Sequence, residues 1–159
     1  MSKERAEIMV VLHNIRSMYN VGSIFRTSDA FSPARIALGG FTALPPRKEI
    51  TKTALGAEEV ISWSHYEDLS QEIMRWKRDG WYVCAVETSG GQPVALDELA
   101  IHASVCFIFG NEVTGLDNEI IDMCDGVFSI PMFGAKESLN VAVSVGVVLS
   151  CYRFTRGEM

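Results

Sequence analysis

The chain has 159 residues, of which 48% are hydrophobic and 21% are charged, and its formal net charge is −6 at pH 7. This composition is typical of a globular domain with its own core, and it excludes a disordered or fibrous chain. The negative charge also excludes a protein that coats nucleic acid through bulk electrostatics, so any polyanion site has to be local.

Short apolar runs rich in β-branched residues alternate with helical patterns along the chain. This alternation predicts an α/β fold with a mainly parallel sheet and helices on both faces. The predicted strands are Ile8–Leu12, Arg35–Leu38, Trp81–Val86, Val105–Phe109 and Val127–Ile130. Between the second and third of them, the pattern predicts a helix over His65–Arg78 that ends at Gly80.

The first predicted helix, Asn20–Phe31, has the sequence NVGSIFRTSDAF and carries a conspicuous arginine. At the helical period its largely apolar stripe consists of Val21, Ile24, Phe25, Ser28 and Phe31. Arg26 points away from that stripe, and its outer face carries Gly22, Ser23 and Ala30. A solvated helix face normally carries long polar side chains, so these small residues indicate that another molecule comes close. An ordinary solvated or salt-bridged arginine is the alternative interpretation.

Ligands of parallel sheets bind beyond the carboxyl ends of the strands, and the loops that follow three predicted strands are unusual there. Their sequences are HNIRSMYN, GNEVTG and PMFGAKESLN. GNEVTG places Glu112 between two glycines at the carboxyl end of a predicted strand, which is unusual for a simple turn. A tight turn capped by Thr114 or Asp117 before a helix over Asn118–Cys124 explains the same residues. The pattern leaves both interpretations open.

The segment Val141–Cys151 has two competing periodicities. At period two, its valines alternate with small residues, which is typical of a strand. At the helical period, Ser138 becomes an N-cap, and Ala142, Gly146 and Ser150 form a row of small residues that lets another backbone approach. The residues alone do not decide between strand and helix.

Three segments resemble, in this order and spacing, the three motifs of the SpoU (TrmH) family of RNA ribose methyltransferases, within the SPOUT superfamily. They are Asn20–Phe31, Phe107–Leu116 (FIFGNEVTGL) and Ser129–Gly146 (SIPMFGAKESLNVAVSVG), with further similarity at KTALGAEEV. The resemblance implies a parallel α/β sheet whose C-terminal part forms a deep trefoil knot, a rare exception among folds. It also implies that the last element is a helix and that the protein is a homodimer.

The same resemblance implies 2'-O-ribose methylation of RNA with S-adenosyl-L-methionine (AdoMet) as the cofactor. The cofactor-binding residues that it implies are Val86, Thr88, Gly110, Ile130, Met132, Ser138 and Leu139. The catalytic residues that it implies are Arg26, Asn20, Glu112, Ser138 and Asn140. Because an arginine is not normally deprotonated, our hypothesis is that Arg26 clamps a phosphate and polarises the 2'-hydroxyl. The other four then orient the arginine, the ribose and the loops.

Residues 14–56 contain six basic and two acidic side chains, which favours a local polyanion site, although chance surface asymmetry explains the excess equally well. The candidate RNA contacts are Arg16, Arg47, Lys48 and Lys136. We expect tRNA to be favoured over rRNA, because minimal single-domain members of the family often act on tRNA. The alternative is a non-catalytic α/β module that binds nucleotides or RNA.

Several absences are also expected from the sequence. The four cysteines form no CxxC pair, so we expect neither a metal site nor disulfides. No stretch is apolar and long enough to span a bilayer, and the N-terminus does not resemble a signal peptide, so we expect a cytoplasmic protein. We expect a single methyltransferase domain over residues 1–159, with no separate RNA-binding extension.

Overall fold

A computed structural model describes residues 5–32 and 34–158 of the chain. Six strands form one parallel sheet in the order β3-β2-β1-β5-β4-β6. The strands are β1 (Glu7–His13), β2 (Ala34–Gly39), β3 (Trp63–Tyr66), β4 (Tyr82–Val86), β5 (Ser104–Phe109) and β6 (Gly126–Phe128). The helices are α1 (Met18–Ala30), α2 (Lys48–Ala54), α3 (Ala57–Val60), α4 (Leu69–Arg78), α5 (Leu96–Leu99), α6 (Asn118–Met123) and α7 (Val141–Thr155). The predicted parallel α/β fold is confirmed.

The sheet is buried between two layers of helices, which explains why its central strands are apolar throughout. Along β1, Ile8, Val10 and Leu12 face the layer built from α1, α2, α3, α5 and α7. Met9 and Val11 face the opposite layer, built from α4 and α6. Because side chains alternate along a strand, both faces of β1 have to be apolar.

Two predicted boundaries near the sheet were wrong. The helix predicted over His65–Arg78 begins only at Leu69, where the Asp68 side chain accepts a hydrogen bond from the Gln71 backbone N–H at 3.2 Å. The preceding residues form β3, an edge strand whose first three side chains are exposed and therefore show no apolar alternation. The last predicted strand ends at Phe128 instead of Ile130, because the chain leaves the sheet there.

The C-terminal segment forms helix α7, as the family resemblance implied. Val145, Val148, Leu149 and Tyr152 are its fully buried side chains, and they recur at helical spacing. The predicted N-cap was wrong, because α7 is capped by Asn140 and not by Ser138. The Asn140 Oδ1 accepts hydrogen bonds from the Ala142 N–H at 2.9 Å and the Val143 N–H at 3.3 Å.

Helix α1 buries the predicted stripe at Val21, Ile24, Phe25 and Ser28, whereas Arg26 is exposed. Gly22, however, was wrongly placed on the outer face. It is buried against α2, where a Cβ at Gly22 would overlap the Thr53 hydroxyl and the Ile50 carbonyl oxygen.

One member of the predicted row of small residues on α7, Gly146, also packs against a helix of the same chain. A Cβ built at Gly146 would lie 3.6 Å from the Thr27 methyl group on α1. The closest neighbours of both glycines are therefore helices of the same chain. Among the described residues, no helix is both long and apolar enough to cross a membrane.

Candidate active site

A cavity of about 360 Å³ opens at the carboxyl ends of β4, β5 and β6. Its walls are the segment after β4, the GNEVTG loop after β5 and the long segment between β6 and α7. The lining residues are Val86, Glu87, Thr88, Phe109, Gly110, Asn111, Glu112, Val113, Thr114, Gly115, Ile130, Met132, Glu137, Ser138, Leu139, Val141 and Ser144. All seven predicted cofactor residues are among them, although they come from three distant parts of the sequence.

Glu112 joins the GNEVTG loop to the start of α1. Its carboxylate accepts hydrogen bonds from the backbone N–H groups of Arg16 at 3.1 Å and Ser17 at 3.3 Å. The neighbouring Asn111 strengthens this connection, since its side-chain amide donates to the Asn14 carbonyl at 2.8 Å. The loops that follow β1 and β5 are thus fixed to each other at the point where the sheet order places these strands side by side.

Glu87 is a site residue that sequence reasoning missed. Its carboxylate accepts the Leu116 backbone N–H at 2.6 Å, and its carbonyl accepts the Ser129 hydroxyl at 2.6 Å. One residue after β4 therefore holds both of the other cavity loops. The only sequence signal was its position immediately after Val86, at the carboxyl end of a predicted strand.

Asn20 and Asn140 lie together, as expected for residues of one site. The Asn140 side-chain amide donates to the Asn20 Oδ1 at 3.2 Å across 120 residues of sequence. The same Asn140 caps α7, so the start of the last helix is tied to the first turns of α1. Neither asparagine lines the cavity itself.

Arg26 does not line the cavity. It lines a separate open groove between α1 and α2, together with Ser23, Thr27, Ala30, Phe31, Lys52, Thr53 and Leu55. The physical reason is the helix rise of about 1.5 Å per residue, which puts Arg26 roughly 9 Å along α1 from Asn20. Within one chain, the arginine and the cavity are therefore apart.

The four candidate RNA contacts are all exposed. Arg16 follows β1, Arg47 and Lys48 begin α2, and Lys136 lies between β6 and α7. Each of these segments follows the carboxyl end of a strand. The four charges therefore share the edge of the sheet on which the cavity opens.

The cavity is acidic, because its lining includes the carboxylates of Glu87, Glu112 and Glu137 and no lysine, arginine or histidine. No cysteine lines it either. Burial is the largest cause that raises the pKa of the Cys84 and Cys124 thiols to about 12, so these two thiols are unreactive near pH 7. In the described part of the chain, no cluster of three or more His, Cys, Asp or Glu side chains is arranged to hold a metal.

His13, at the end of β1, lies outside the cavity and pairs with Tyr66, its Nδ1 being 3.0 Å from the phenol oxygen. Burial lowers the pKa of His13 and outweighs the opposite effect of Asp117. The imidazole is therefore neutral near pH 7.

The fold and the cavity define an α/β protein with a ligand-sized cavity beyond the carboxyl ends of a parallel sheet, whose loops are joined by hydrogen bonds of the half-buried Glu87 and Asn111 and the exposed Glu112. The model of the SpoU rRNA Methylase family matches residues 7–150. The chain belongs to this family, which confirms the resemblance found in its three motifs.

Individual relatives agree with this membership. The 23S rRNA (guanosine-2'-O-)-methyltransferase RlmB of Neisseria meningitidis is 29% identical over 143 residues, which are 90% of this chain and 56% of the relative. The AdoMet-bound rRNA methyltransferase of Sinorhizobium meliloti superposes with a TM-score of 0.84 at 28% identity, over 97% of this chain and 58% of that one. The chain spans about half the length of the curated relatives that it matches.

One similar structure has nearly the same length. It concerns the 2-OH methylation of C/U34 on tRNA and superposes with a TM-score of 0.82 at 25% identity. The match covers 96% of this chain and 98% of that chain. Relatives of this chain are thus described as acting on two kinds of RNA.

Proposed function

We propose that this protein is an AdoMet-dependent RNA 2'-O-ribose methyltransferase. The observation that carries the proposal is the cavity at the carboxyl ends of β4, β5 and β6. Seven residues implied by the family resemblance line it, although they belong to segments that are far apart in sequence. A module that only bound RNA would need neither this cavity nor its link through Glu112 to the first motif.

The residues that are present fit the cofactor. The cavity volume of about 360 Å³ lies in the range of small-molecule sites, and three carboxylates line it. AdoMet carries a positive sulfonium and an ammonium group, which an acidic lining favours. Gly110, Ile130, Met132 and Leu139 would hold the cofactor, and Val86 and Thr88 would bound it on the β4 side. When bound, it supplies an electrophilic methyl group.

The chain's own polar residues then position the substrate. Glu112 holds the start of α1 by two backbone hydrogen bonds, and Asn140 holds Asn20. Ser138 lies on the cavity wall, where its hydroxyl can orient the ribose. Arg26, which lies apart from the cavity of its own chain, would act on a nucleotide at the cavity of a second copy, where it clamps the phosphate and polarises the 2'-hydroxyl while the phosphate or a water accepts the proton. This arrangement aligns the nucleophile and restricts its motion, which is the main requirement of an in-line displacement.

We further propose that the protein works as a homodimer. Helix α7 carries a second, outward stripe formed by Val143, Val147, Ser150 and Phe154, of which Val143 is 51% and Phe154 74% exposed. A second copy would cover this stripe and the adjoining small residues Ser23 and Ala30 of α1. Light scattering should give about twice the chain mass. A stable monomer that transfers methyl groups would contradict the dimer.

The C-terminal trefoil knot is likewise a proposal. It is supported by the course of the chain, which leaves the sheet after β6, passes the cavity loops and returns as α7 against α1 and α5. Stretching the protein by its two ends in an optical trap tests it. A knotted chain should extend to less than its full contour of about 3.3–3.6 Å per residue. Full extension would mean that the chain is not knotted.

Two kinds of RNA, rRNA and tRNA, are candidate substrates, and both offer the ribose 2'-hydroxyl that the reaction needs. The preference for tRNA over rRNA is not supported by those curated relatives whose names specify 23S rRNA, and others are named only as tRNA/rRNA methyltransferases. The relative of equal length is described with tRNA. The cytoplasmic location, the lack of a metal and the single domain over residues 1–159 stay predictions.

The deciding experiment offers labelled AdoMet to tRNA transcripts and to 23S rRNA transcripts in separate reactions without added metal. Methylated products are digested to nucleosides, and 2'-O-methyl nucleosides are identified by mass spectrometry. We expect 2'-O-methylation in one of the two reactions. Methylation on a base instead, or RNA binding without any transfer in both reactions, would contradict the proposed function, and the second result would favour the non-catalytic module.

A further inference from the structure

The loop after β2 presents an aromatic ring to solvent at the same edge of the sheet as the cavity. Phe41 is 61% exposed, although it directly follows a buried strand. A single exposed apolar side chain is ordinary in itself. What distinguishes Phe41 is the number of polar contacts that hold its backbone in one position.

The Phe41 backbone is fixed on both sides. Its own N–H donates to the Asn14 Oδ1 at 3.0 Å. The next residue, Thr42, is buried, and its hydroxyl donates to the Leu12 carbonyl at 3.2 Å while accepting the Ile15 N–H at 3.0 Å. Gly40, on the other side, has a φ of 61°, and a Cβ there would overlap the Asn14 side chain. Asn14 therefore requires glycine before the exposed ring.

The same asparagine connects this loop to the cavity. Asn14 has a φ of 60°, and its carbonyl accepts the Asn111 side-chain amide at 2.8 Å. Asn111 belongs to the GNEVTG loop, which lines the cavity. The Phe41 backbone is thus positioned relative to the cavity through one residue that contacts both loops.

Three basic residues lie in or at the end of the two loops that the hydrogen bond between Asn14 and Phe41 joins. Arg16 lies two residues beyond Asn14, and Arg47 and Lys48 stand at the end of the loop that begins with Phe41; all three are exposed. A flat apolar ring among cations is the surface that binds unpaired nucleotides, because bases stack on the ring and phosphates contact the charges.

We propose that Phe41 is a base-stacking residue that holds an unpaired nucleotide of the substrate RNA beside the cavity. This inference rests on the proposed function and adds a specific contact to it. The ring accepts any base, since every base has a π face, so Phe41 contributes affinity and position and not base identity. Arg16 and Arg47 supply the phosphate contacts next to it.

The test compares substitutions of one side chain on the same RNA transcripts. Phe41→Ala and Phe41→Leu should raise the KM for RNA by about tenfold or more, with kcat and AdoMet affinity unchanged, because stacking on one base is lost. Phe41→Trp should restore the KM, since it again offers a flat face. Ile101→Ala is the matched control, because Ile101 is 78% exposed but precedes β5 at the opposite edge of the sheet.

The salt dependence of RNA binding separates stacking from phosphate contact. Arg16→Ala should reduce the slope of log affinity against log salt by about 1, whereas Phe41→Ala should lower affinity and leave the slope unchanged. If Phe41→Leu binds RNA as wild type does, stacking is excluded. If Phe41→Ala halves the particle mass in light scattering, the ring belongs to an interface between copies and the proposal fails.

Different results would contradict the proposed function and the role of Phe41. Wild-type protein that neither binds nor methylates RNA contradicts the proposed function before any substitution is made. Wild-type protein that methylates RNA, together with a Phe41→Ala variant of unchanged KM, contradicts only the role of Phe41.

Discussion

The two edges of the sheet are held together by different chemistry. At the carboxyl edge, where the strands end in His13, Gly39, Val86, Phe109 and Phe128, loops are joined by single side chains that accept backbone N–H groups. At the amino edge, where β1 and β5 begin, a compact cluster of charged residues from the C-terminus closes the fold. The first edge carries the open cavity, whereas the charged cluster at the second edge is almost fully buried.

The amino-edge cluster is built around Glu158. Its carboxylate pairs with Arg153 and Arg156 and accepts the Ala6 backbone N–H at 3.0 Å, and the side chains of all three charged residues are almost fully buried. Arg153 also donates to the carbonyls of Ala6 and Phe31. Arg156 donates to the carbonyls that precede β5. The end of α7 is thus fastened to the starts of β1, β2 and β5.

From this difference we infer that residues at the carboxyl edge serve function and residues at the amino edge serve stability. Substitutions at the carboxyl edge should remove binding or methyl transfer while the protein stays folded. Substitutions at the amino edge should lower the free energy of unfolding while the site stays intact. Each of the following experiments tests that division.

The largest effect is expected from Leu139→Arg, which should abolish AdoMet binding in calorimetry without added metal. Leu139 lines the cavity and is 40% exposed, so a long cation there fills the site and repels the cofactor without disturbing the core. Ile101→Arg, at the amino edge, should bind AdoMet normally. Unchanged binding by the Leu139 variant, or wild-type binding only with added zinc, would contradict the proposed cofactor site.

Arg26→Ala should reduce methyl transfer to RNA on the order of a hundredfold, the scale of a lost transition-state contact. Because Arg26 is exposed in its groove, folding and AdoMet affinity should not change. Arg26→Lys should restore little, since a point charge cannot make the planar two-point contact. A near-normal rate for Arg26→Ala, or loss of folding, would show that the arginine is not catalytic.

Glu158→Gln should lower the free energy of unfolding at pH 7 by about 2 kcal/mol, because two buried arginines lose their anion while the amide keeps an acceptor. Burial alone would raise the pKa of Glu158, but the Arg156, Ala6 N–H and Arg153 contacts outweigh it and hold that pKa below its ordinary value. A carboxyl group whose folded-state pKa is lowered stabilises the protein above its unfolded pKa. The difference between wild type and variant should therefore shrink as the pH falls below the ordinary glutamate range.

Urea unfolding at pH 7 and at pH 3 measures this difference. Glu7→Gln is the matched control, because Glu7 forms an exposed ion pair with Arg35 at 3.0 Å and its loss should cost about 0.5 kcal/mol or less. A Glu158→Gln variant that keeps full stability but loses methyl transfer would reverse the proposed division between the edges.

The smallest effect is expected at Asn140, which caps α7 and also contacts the site residue Asn20. Asn140→Ala should cost about 1 kcal/mol of unfolding free energy through the lost cap of α7, and it should also lower methyl transfer. Asn140→Asp keeps the capping oxygen but loses the donor to Asn20, so stability should return while transfer stays low. If Asn140→Asp transfers methyl groups at the wild-type rate, the contact with Asn20 is only structural.

Much of the fold could be predicted, because the spacing of apolar residues along a segment indicates which of its side chains are buried. The apolar runs at β1, β4 and β5 are buried on both sides, and the stripe of α1 is buried as its period requires. Strand β3 could not be predicted, since an exposed edge strand has no apolar alternation. Helix α7 required the family resemblance, because packing against α1 and the sheet overrides the strand preference of its valines.

The sequence predicted seven of the residues that line the cavity, through the family resemblance, and it predicted that Arg26 faces away from the core. Only the tertiary structure decided that Glu87 holds two other loops, that Gly22 meets α2 and that Arg26 lies in a separate groove. The physical reason is the range of the interactions. Periodicity records which face of an element is buried, whereas contacts such as Glu112 with the Arg16 N–H join residues 96 positions apart and depend on the order of the strands.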